Sequence, residues 1–418
     1  MKQKAWFCAV LVTSIAWSVV ADACPFCSAV SQTFTEEMQS MDVAVIAALQ
    51  EAPKPLAPDA APSEEVPKAR FQVKSVIKGG SFVKVGQTIE TIYFGTGQKG
   101  TPFLVMAVEP PKLAWSTPLQ LTERAEKYVA QLLTLPEKGA ARLEFFQNHL
   151  EDKDEMLARD SYDEFAKAPY EDVIALKSKM NHDQLVTWVR SRDVPASRRR
   201  LYLTMLGVCG GPQDIPLLEQ LLKSSEKLDK AGLDAMIGCY LTLRGADGMP
   251  LIEDLFLKNP TAEYADTYAA IMALRFHGSE TDVIPRARVL QGLRCLLSRP
   301  SLADLVIADL ARWEDWSAMD RLVELFKNAD EKSSWVRVPV INYLRACPLP
   351  EAAKHLVELE KIDPAAVKRA NTFFPFGGGS PAPPSTPSSP TPTTPAKPET
   401  TTPAPVVAPT SAAATAAP

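Results

Sequence analysis

Histidine is scarce in this sequence, and several motifs of well-known enzyme sites are absent. The four histidines lie far apart along the chain, at His149, His182, His277 and His355. The strings G-x-x-x-x-G-K-[ST], G-x-S-x-G and H-E-x-x-H do not occur, and neither does the calcium-loop pattern. Phosphate-loop, serine-hydrolase and zincin chemistry therefore lack support, and we expect no dinucleotide chemistry either. We expect no enzymatic activity, no bound metal and no cofactor.

The sequence also lacks a basic excess and a second long apolar run. Lys and Arg number 45 against 50 Asp and Glu, a net charge of −5, which becomes −6 without the first 23 residues. A nucleic-acid-binding protein normally carries a basic face that releases counterions from phosphates, so we expect no nucleic-acid partner. The apolar run Ala5–Val20 is short for a bilayer span. We therefore expect no transmembrane segment in the mature chain.

Both ends of the sequence differ from an ordinary folded domain. Residues 1–23 contain Lys2, Lys4, the apolar run and then Ala21-Asp22-Ala23, the order of a signal peptide with its cleavage site. The tail, residues 373–418, consists from Pro375 onward almost wholly of Pro, Thr, Ser, Ala and Gly, with too little apolar surface to offset chain entropy. The sequence thus predicts a secreted or periplasmic protein with a disordered tail, which could serve as a glycosylated spacer.

Residues 24–136 show the pattern of a small β-rich module. Short runs of β-branched and aromatic residues are separated by glycine and proline turns. These runs are Val43–Leu49, Phe71–Ile77, Thr88–Phe94 and Phe103–Val108. The Pro-, Ala- and Glu-rich stretch from Glu51 to Lys68 predicts a mobile surface loop, and Leu119–Leu135 changes to a helical period. We expect a small β-barrel or sandwich followed by a helix.

Three stretches of this module carry a family resemblance: residues 71–79 (FQVKSVIKG), 85–89 (VGQTI) and 100–105 (GTPFLV). They resemble the netrin-like OB-fold module, which tissue inhibitors of metalloproteinases share with many secreted bacterial proteins of unknown role. The resemblance covers roughly residues 24–135 and implies a small β-barrel. It also implies a metalloproteinase inhibitor that acts through the amino group of an N-terminal Cys. This chain departs from the family's C-x-C start, with Cys24-Pro25-Phe26-Cys27 instead.

Residues 137–372 are helical and repetitive. Gly211, Gly245 and Gly278 open similar motifs that stand 34 and 33 residues apart. Leucines continue the register at intervals of 34, 35, 35 and 34, namely Leu221, Leu255, Leu290, Leu325 and Leu359. Such a period indicates helix pairs that stack on their neighbours, with Pro in the first turn of each second helix. The pattern resembles HEAT-type α-solenoid repeats, and that resemblance implies a surface for binding.

The arrangement as a whole also resembles a group of uncharacterised secreted proteins of planctomycete type. The matching strings are residues 24–27 (CPFC), 163–170 (DEFAKAPY) and 200–203 (RLYL). This resemblance implies no particular activity.

Cys24 and Cys27 form a C-x-x-C pair at the predicted mature N-terminus and are candidates for a disulfide, a redox pair or a metal site. No strand precedes them, as thioredoxin-like chemistry would require, and Ser28 stands where haem attachment requires His. A lipid anchor at Cys24 is a further alternative. The remaining mature cysteines lie in helical patterns, where we expect buried free thiols; they are Cys209, Cys239, Cys295 and Cys347.

A basic group precedes the first regular repeat and supplies the candidate binding-surface residues. They are Arg190, Arg192, Arg198, Arg199 and Arg200. Because adjacent repeats align their residues along one surface, this group could receive an acidic partner. The alternative is a set of ion pairs between repeats, with Asp160 or Asp193 as the carboxylates.

Two smaller groups leave similar alternatives. Trp313, Trp316 and Trp335 form either an aromatic contact patch or packing between repeats. His277 either pairs with Cys239 or Cys295 in a nucleophilic site, or is a turn histidine with satisfied hydrogen bonds.

The sequence thus predicts a multidomain α+β protein in four parts. They are a signal peptide (1–23), a netrin-like β module with a C-terminal helix (24–136), a HEAT-like α-solenoid (137–372) and a disordered tail (373–418). The predicted function is a non-enzymatic binding or scaffold protein for a protein or another envelope macromolecule. The alternatives are a thiol-redox or metal-handling protein that uses Cys24 and Cys27, and a metalloproteinase inhibitor.

Overall fold

The computed structural model describes residues 26–27, 31–53 and 66–373 of the chain. Within them lie six strands, β1 Val43–Glu51, β2 Lys68–Lys78, β3 Thr88–Ile92, β4 Pro102–Val108, β5 Ala114–Trp115 and β6 Leu119–Gln120. The α-helices described are α1 Phe34–Ser40, α2 Glu123–Leu132, α3 Ala140–Gln147, α4 Glu155–Lys167, α5 Tyr170–Ala175, α6 His182–Arg190, α7 Ala196–Cys209, α8 Ile215–Leu222, α9 Leu233–Arg244, α10 Met249–Ile252, α11 Tyr264–Ser279, α12 Arg286–Arg294, α13 Asp304–Arg312, α14 Met319–Lys327, α15 Arg337–Ala346, α16 Pro350–Ile362 and α17 Pro364–Phe373. The predicted signal peptide, Cys24, the middle of the predicted loop 51–68 and the tail from residue 374 lie outside the described residues.

The strands form one nearly closed, barrel-like sheet of antiparallel pairs. Its order is β3-β2-β1-β4-β5, and β6 also pairs with β4. The two ends of this order approach each other, because the hydroxyl of Thr91 in β3 donates to the carbonyl of Ser116, just after β5, at 3.3 Å. The four predicted strands are confirmed as β1 to β4. The two-residue strands β5 and β6 are too short to leave a pattern in the sequence.

Strand β1 is buried on both faces, which explains its unbroken apolar run. Alternate side chains from Val43 to Leu49 point into the barrel, whereas Ala44 and Ile46 pack into the core of the helical part. Three rings fill the barrel in edge-to-face contacts, with centroids 5.2 to 5.9 Å apart; they belong to Phe71, Tyr93 and Phe103. The barrel and the helices therefore share a wall.

The connection between β3 and β4 contains residues 95–100 (GTGQKG), which have the G-x-G-x-x-G spacing of a dinucleotide loop. In a dinucleotide fold this string follows a strand and opens a helix in a βαβ unit. Here β2 and β1 lie between the two strands that it joins, and β4 follows it without a helix. The spacing is present, but its setting is that of a sheet connection.

Helix α2 is shorter than the sequence predicts. The prediction of a helix over Leu119–Leu135 is wrong at its start, because residues 119–120 pair with β4 as β6. The helix begins after Thr122, whose side chain caps it by accepting from the backbone N–H of Ala125 at 3.1 Å. Its predicted apolar face is buried as expected, including Tyr128 and Leu132.

Helix α1, which the sequence did not predict, connects the barrel to the helices through buried polar groups. Thr33 and Glu36 form a capping box at its start. Asp160 of α4 accepts from the backbone N–H of Phe34 and from the hydroxyl of Tyr128, both at 2.7 Å. Burial raises the pKa of Asp160 to about 6. A carboxylate of α4 thus links α1 and α2.

The helices from α3 to α17 form a solenoid-like stack. Helices α7, α9, α11, α13, α15 and α17 pack each on the next, and we call them the first layer. Helices α8, α12, α14 and α16 pack on members of that layer. Prolines precede or open α8, α10, α12 and α16, as the repeat pattern predicts. They are Pro216, Pro250, Pro285 and Pro350. None of the helices in the described ranges is long and apolar enough to span a membrane.

Ion pairs between neighbouring repeats hold the first layer in register. Arg200 of α7 contacts Asp234 of α9 at 2.8 Å, across 34 positions of the sequence. Arg275 of α11 contacts Asp309 of α13 at 2.8 Å, again across 34 positions. Because these pairs join equivalent repeat positions, successive first-layer helices run in the same direction. They therefore begin at the same edge of the stack.

Candidate functional site

Phe26, in the middle of the C-P-F-C string, inserts its ring into the first layer. Its exposed fraction is 6%, and its ring centroid lies 5.0 Å from that of Phe276 in α11. A Cβ on Gly238 of α9 would lie 2.8 Å from Cζ of Phe26, so only glycine leaves room for the ring there. Tyr170, at the start of α5, packs edge-on against Phe276 at 5.4 Å. Phe26 thus anchors the N-terminal segment to the helices.

His277 lies beside this aromatic group with both ring nitrogens engaged. Its Nε2 donates to the carbonyl of Gly238 at 3.1 Å, and its Nδ1 accepts from the hydroxyl of Thr281 at 3.1 Å. Burial lowers the pKa of His277 to about 4 and raises that of the Cys239 thiol well above its usual value. This geometry supports a histidine with satisfied hydrogen bonds and not a nucleophilic pair with Cys239. The histidine lies inside helix α11, whereas the sequence predicted a turn.

The structure separates the cysteines into two groups. Cys27 is half-buried and is not among the free thiols of the described residues. The free thiols of the described residues are Cys209, Cys239, Cys295 and Cys347, as predicted, although only Cys239 and Cys347 are fully buried. Cys24 lies outside the described residues. Its pairing with Cys27, and the choice between a structural and a redox-active bond, stay predictions.

Among the predicted binding-surface arginines, Arg198 and Arg200 make ion pairs inside the chain. Arg198 is buried and contacts Glu151 at 3.5 Å, and it also contacts Glu155. Arg200 contacts Asp234, as described above. Arg190 is exposed at the end of α6. The partners of Arg198 and Arg200 are thus Glu151, Glu155 and Asp234 rather than Asp160 or Asp193. Asp160 instead accepts from Phe34 and Tyr128.

Arg192 and Arg199 hold the turn that precedes α9. Arg199 is only 1% exposed, and its Nη1 donates to the carbonyl of Leu228 at 2.7 Å. Nε of Arg192 donates to Asp229 in the same turn at 2.9 Å. Burial lowers the pKa of Arg199. These two side chains therefore shape the turn, and the five arginines do not form one continuous exposed basic surface.

The same turn presents Leu228 at an exposed edge of the stack. Leu228, Tyr264 and Trp335 stand 36 and 71 residues apart, close to one and two repeat periods. Tyr264 is the first residue of α11, Trp335 lies two residues before α15, and Leu228 lies in the turn five residues before α9. The common direction of the first layer therefore places all three at one edge. Tyr268 follows one helical turn after Tyr264. We call these four residues the edge patch.

All four side chains of the edge patch are large, apolar or aromatic, and exposed. The exposed fractions of Leu228, Tyr264, Tyr268 and Trp335 are 59%, 58%, 39% and 49%. The rings of Tyr264 and Tyr268 are stacked, with centroids 6.1 Å apart and an interplanar angle of 9°. Exposed aromatic residues that cluster in this way mark interaction sites more often than scattered ones do.

Ion pairs and hydrogen bonds fix the residues around the patch. Lys230, in the turn before α9, contacts Asp266 of α11 at 3.0 Å. The side chain of Trp335 hydrogen-bonds to the carboxylate of Asp304, at the start of α13. Each of these contacts joins neighbouring repeats, so the patch is presented by a braced part of the stack.

The other two tryptophans of the predicted aromatic group serve in packing. The ring of Trp313 covers Gly278 so closely that no Cβ would fit there, and the guanidinium of Arg286 lies 5.8 Å from the ring centroid. Trp316 packs on Tyr343 at 5.2 Å. The alternative of packing between repeats is thus what the structure shows for Trp313 and Trp316, whereas Trp335 is exposed.

Two further findings bear on the site. Within the described ranges, no three side chains of His, Cys, Asp or Glu are grouped so that they could hold a metal ion. No protein-family model, curated protein or solved structure matches this chain.

Proposed function

We propose that this chain is an exported, non-enzymatic scaffold whose helical stack binds a protein partner through the edge patch. The observation that carries the proposal is the row of exposed apolar side chains at one edge, built from Leu228, Tyr264, Tyr268 and Trp335. Aromatic side chains contribute most of the binding energy at many protein interfaces, since they bury a large area at a small cost in side-chain entropy. A soluble repeat protein gains no folding stability from leaving them exposed.

The repeat period and the pairing of equivalent positions support a HEAT-like stack, and the nearly closed sheet supports the netrin-like assignment of the barrel. Export is supported by the order of charged, apolar and small residues in the first 23 positions. In this proposal the N-terminal segment braces α9 and α11, on which Phe26 packs, and these helices with the turn before α9 present Leu228, Tyr264 and Tyr268 at the edge.

Site-specific photo-crosslinking tests the proposal. A photoreactive phenylalanine analogue replaces Tyr264 in one variant and Val357 in another. Val357 is a matched control, because it is also 58% exposed and apolar but lies on α16, outside the first layer. We expect one partner protein to be cross-linked from position 264, and the yield to fall when Trp335→Ser is added.

Cross-linking of the same proteins from both positions, or of none from position 264, contradicts the proposal. Trp335→Ser also distinguishes specific binding from non-specific adsorption. A non-specific apolar contact at position 264 would not depend on a residue two repeats away.

A further inference from the structure

A polar cleft of about 400 Å³ lies where α3, α6 and α7 meet. Four of its ten lining residues carry side-chain amides, namely Gln147, Asn148, Asn181 and Gln184, and three others are Leu or Met. Trp188 also lines the cleft, and Glu151 and Lys179 are the charged residues of its wall. All of these residues belong to the described part of the chain and none belongs to the edge patch.

The amides of the cleft keep free hydrogen-bonding capacity. Nε2 of Gln147 donates to the carbonyl of Lys179 at 3.1 Å, and Nδ2 of Asn148 donates to that of Glu144 at 2.9 Å. Their side-chain oxygens accept no hydrogen bond from another described residue. A carboxamide offers both donors and acceptors. Such side chains can therefore donate to the oxygen of a ligand hydroxyl group or accept its hydrogen.

The side chain of Gln184 is exposed and makes no hydrogen bond to another described residue. It stands in the first turn of α6, where its backbone N–H donates to Oδ1 of the capping residue Asn181 at 3.2 Å. That bond engages only Oδ1 of Asn181, and its Nδ2 donates to no other described residue. Two amides at the start of α6 and two at the end of α3 therefore line the same cleft.

The charges of the cleft are neutralised within the protein. Oε1 of Glu151 accepts from the hydroxyl of Tyr202 at 2.5 Å, and its Oε2 lies 3.5 Å from Arg198. Nζ of Lys179 contacts Glu144 at 3.1 Å. A strongly charged ligand would have to compete with these pairs, so the cleft suits a ligand that is polar and uncharged.

Trp188 provides a flat apolar surface in this polar setting. Its ring packs on that of Tyr202, with centroids 4.5 Å apart and an interplanar angle of 34°. Tyr202 is buried and is held by hydrogen bonds from its hydroxyl to Leu150 and Glu151. The indole is thus fixed in orientation before any ligand arrives, which reduces the entropy lost on binding.

We propose that this cleft binds a neutral oligosaccharide. The amides of Gln147, Asn148, Asn181 and Gln184 hydrogen-bond its hydroxyl groups, and the C–H face of one sugar ring packs on Trp188. A sugar combines a polar rim with an apolar face, which matches a wall of amides beside one aromatic ring. The inference does not depend on the proposed function, because it concerns other residues and another kind of ligand.

Calorimetric titration of the purified full chain tests the proposal, with cellohexaose, maltohexaose and chitohexaose as probes. We expect saturable 1:1 binding of at least one of them. Gln184→Ala and Asn148→Ala should each weaken it about 3- to 10-fold, the effect of one lost hydrogen bond. Gln220→Ala, an exposed glutamine on α8 away from the cleft, is the matched control and should bind like the wild type.

Trp188→Ala should abolish binding, but it could also disturb the packing on Tyr202. The two exposed amide variants do not have that difficulty, and circular dichroism confirms that each variant is folded. The proposal is overturned if none of the three hexaoses binds saturably at millimolar concentration. It is also overturned if Gln184→Ala and Asn148→Ala bind like the wild type, or if an acidic hexasaccharide of galacturonate binds more tightly than every neutral one.

Discussion

The ring of Phe26 lies directly against Gly238 of α9, at a position where a Cβ would come within 2.8 Å of the ring. The same glycine accepts the hydrogen bond of His277 through its carbonyl. Gly238 therefore contacts the N-terminal segment through its Cα and accepts a hydrogen bond from a buried histidine through its carbonyl oxygen.

Gly238→Ala should release the N-terminal segment from the helices. Alanine improves helix propensity by about 1 kcal/mol, but the new methyl group occupies the place of the Phe26 ring. We expect faster hydrogen exchange in the peptide that contains residues 31–40, measured by mass spectrometry, while the exchange of α13 to α17 stays unchanged.

Gly207→Ala in α7 is the matched control, because a Cβ there would meet its nearest neighbour, Cys239, at an ordinary 3.5 Å. It should leave the exchange of residues 31–40 as in the wild type. Equal exchange in both variants and in the wild type would show that Phe26 does not anchor the segment.

The burial of His277 predicts that the free energy of unfolding falls in mild acid. Burial lowers its pKa in the folded protein to about 4, whereas the unfolded value is about 6.5. The folded state therefore resists protonation, and the contribution of His277 is complete above pH 6.5 and is lost as the pH falls toward 4. We expect about 3 kcal/mol less stability from this residue at pH 4 than at pH 7.5.

Urea unfolding of the wild type and of His277→Gln at several pH values measures this contribution. Asp160 works in the opposite sense, because its pKa is raised to about 6 and its protonation favours the folded state, but it is common to both proteins. The difference between the two curves should therefore shrink as the pH falls. A constant difference from pH 7.5 to 4 is incompatible with a buried neutral His277.

Breaking the ion pair of Arg275 and Asp309 should cost far more stability than breaking an exposed pair. Asp309 is 1% exposed and accepts from Nε and Nη2 of Arg275. Asp309→Asn leaves a partly buried cation without its partner and should cost about 3 kcal/mol of unfolding free energy. Glu263→Gln breaks the exposed contact with Lys227 and should cost less than about 1 kcal/mol.

Urea unfolding followed by tryptophan fluorescence compares the two variants. Equal midpoints for Asp309→Asn and Glu263→Gln would mean that pairs at equivalent repeat positions do not hold the first layer together.

The proposed export and the pairing of Cys24 with Cys27 predict a definite count of reactive thiols. The mature protein, denatured without reductant, should take up alkylating reagent at four cysteines, which are the free thiols of the described residues. After reduction it should take up reagent at six, the number left when Cys8 is removed with the signal peptide. Intact-mass spectrometry gives both numbers, and six labels without reductant would exclude the disulfide.

The sequence predicted those parts of the fold that have a local residue pattern. The strands around Val45, Phe71 and Phe103 follow from β-branched and aromatic runs between turns, and the helix pairs follow from the period of about 34 residues. Helix α1 is only 7 residues long and carries too little periodicity to be recognised. Strands β5 and β6 are defined by their pairing with β4 rather than by their composition.

Most of the candidate site could not be predicted, because it depends on contacts between distant residues. Nothing local marks Phe26 as the ring that fills the space above Gly238. Arg199 belonged to a basic cluster in the sequence, yet its guanidinium is buried and holds the carbonyl of Leu228. The repeat period did contain one usable signal: Leu228, Tyr264 and Trp335 are large apolar residues at nearly equivalent positions, in segments that otherwise contain charged turns.

The affinity of the purified cross-linked partner is the most direct test of the edge patch. It should be measured by calorimetry or surface plasmon resonance for the wild type, for the double variant Tyr264→Ser with Trp335→Ser, and for Val357→Ser. Two aromatic anchors at the centre of an interface contribute enough that we expect at least about a tenfold loss in the double variant, and none in Val357→Ser. Equal affinities of all three proteins would contradict the account.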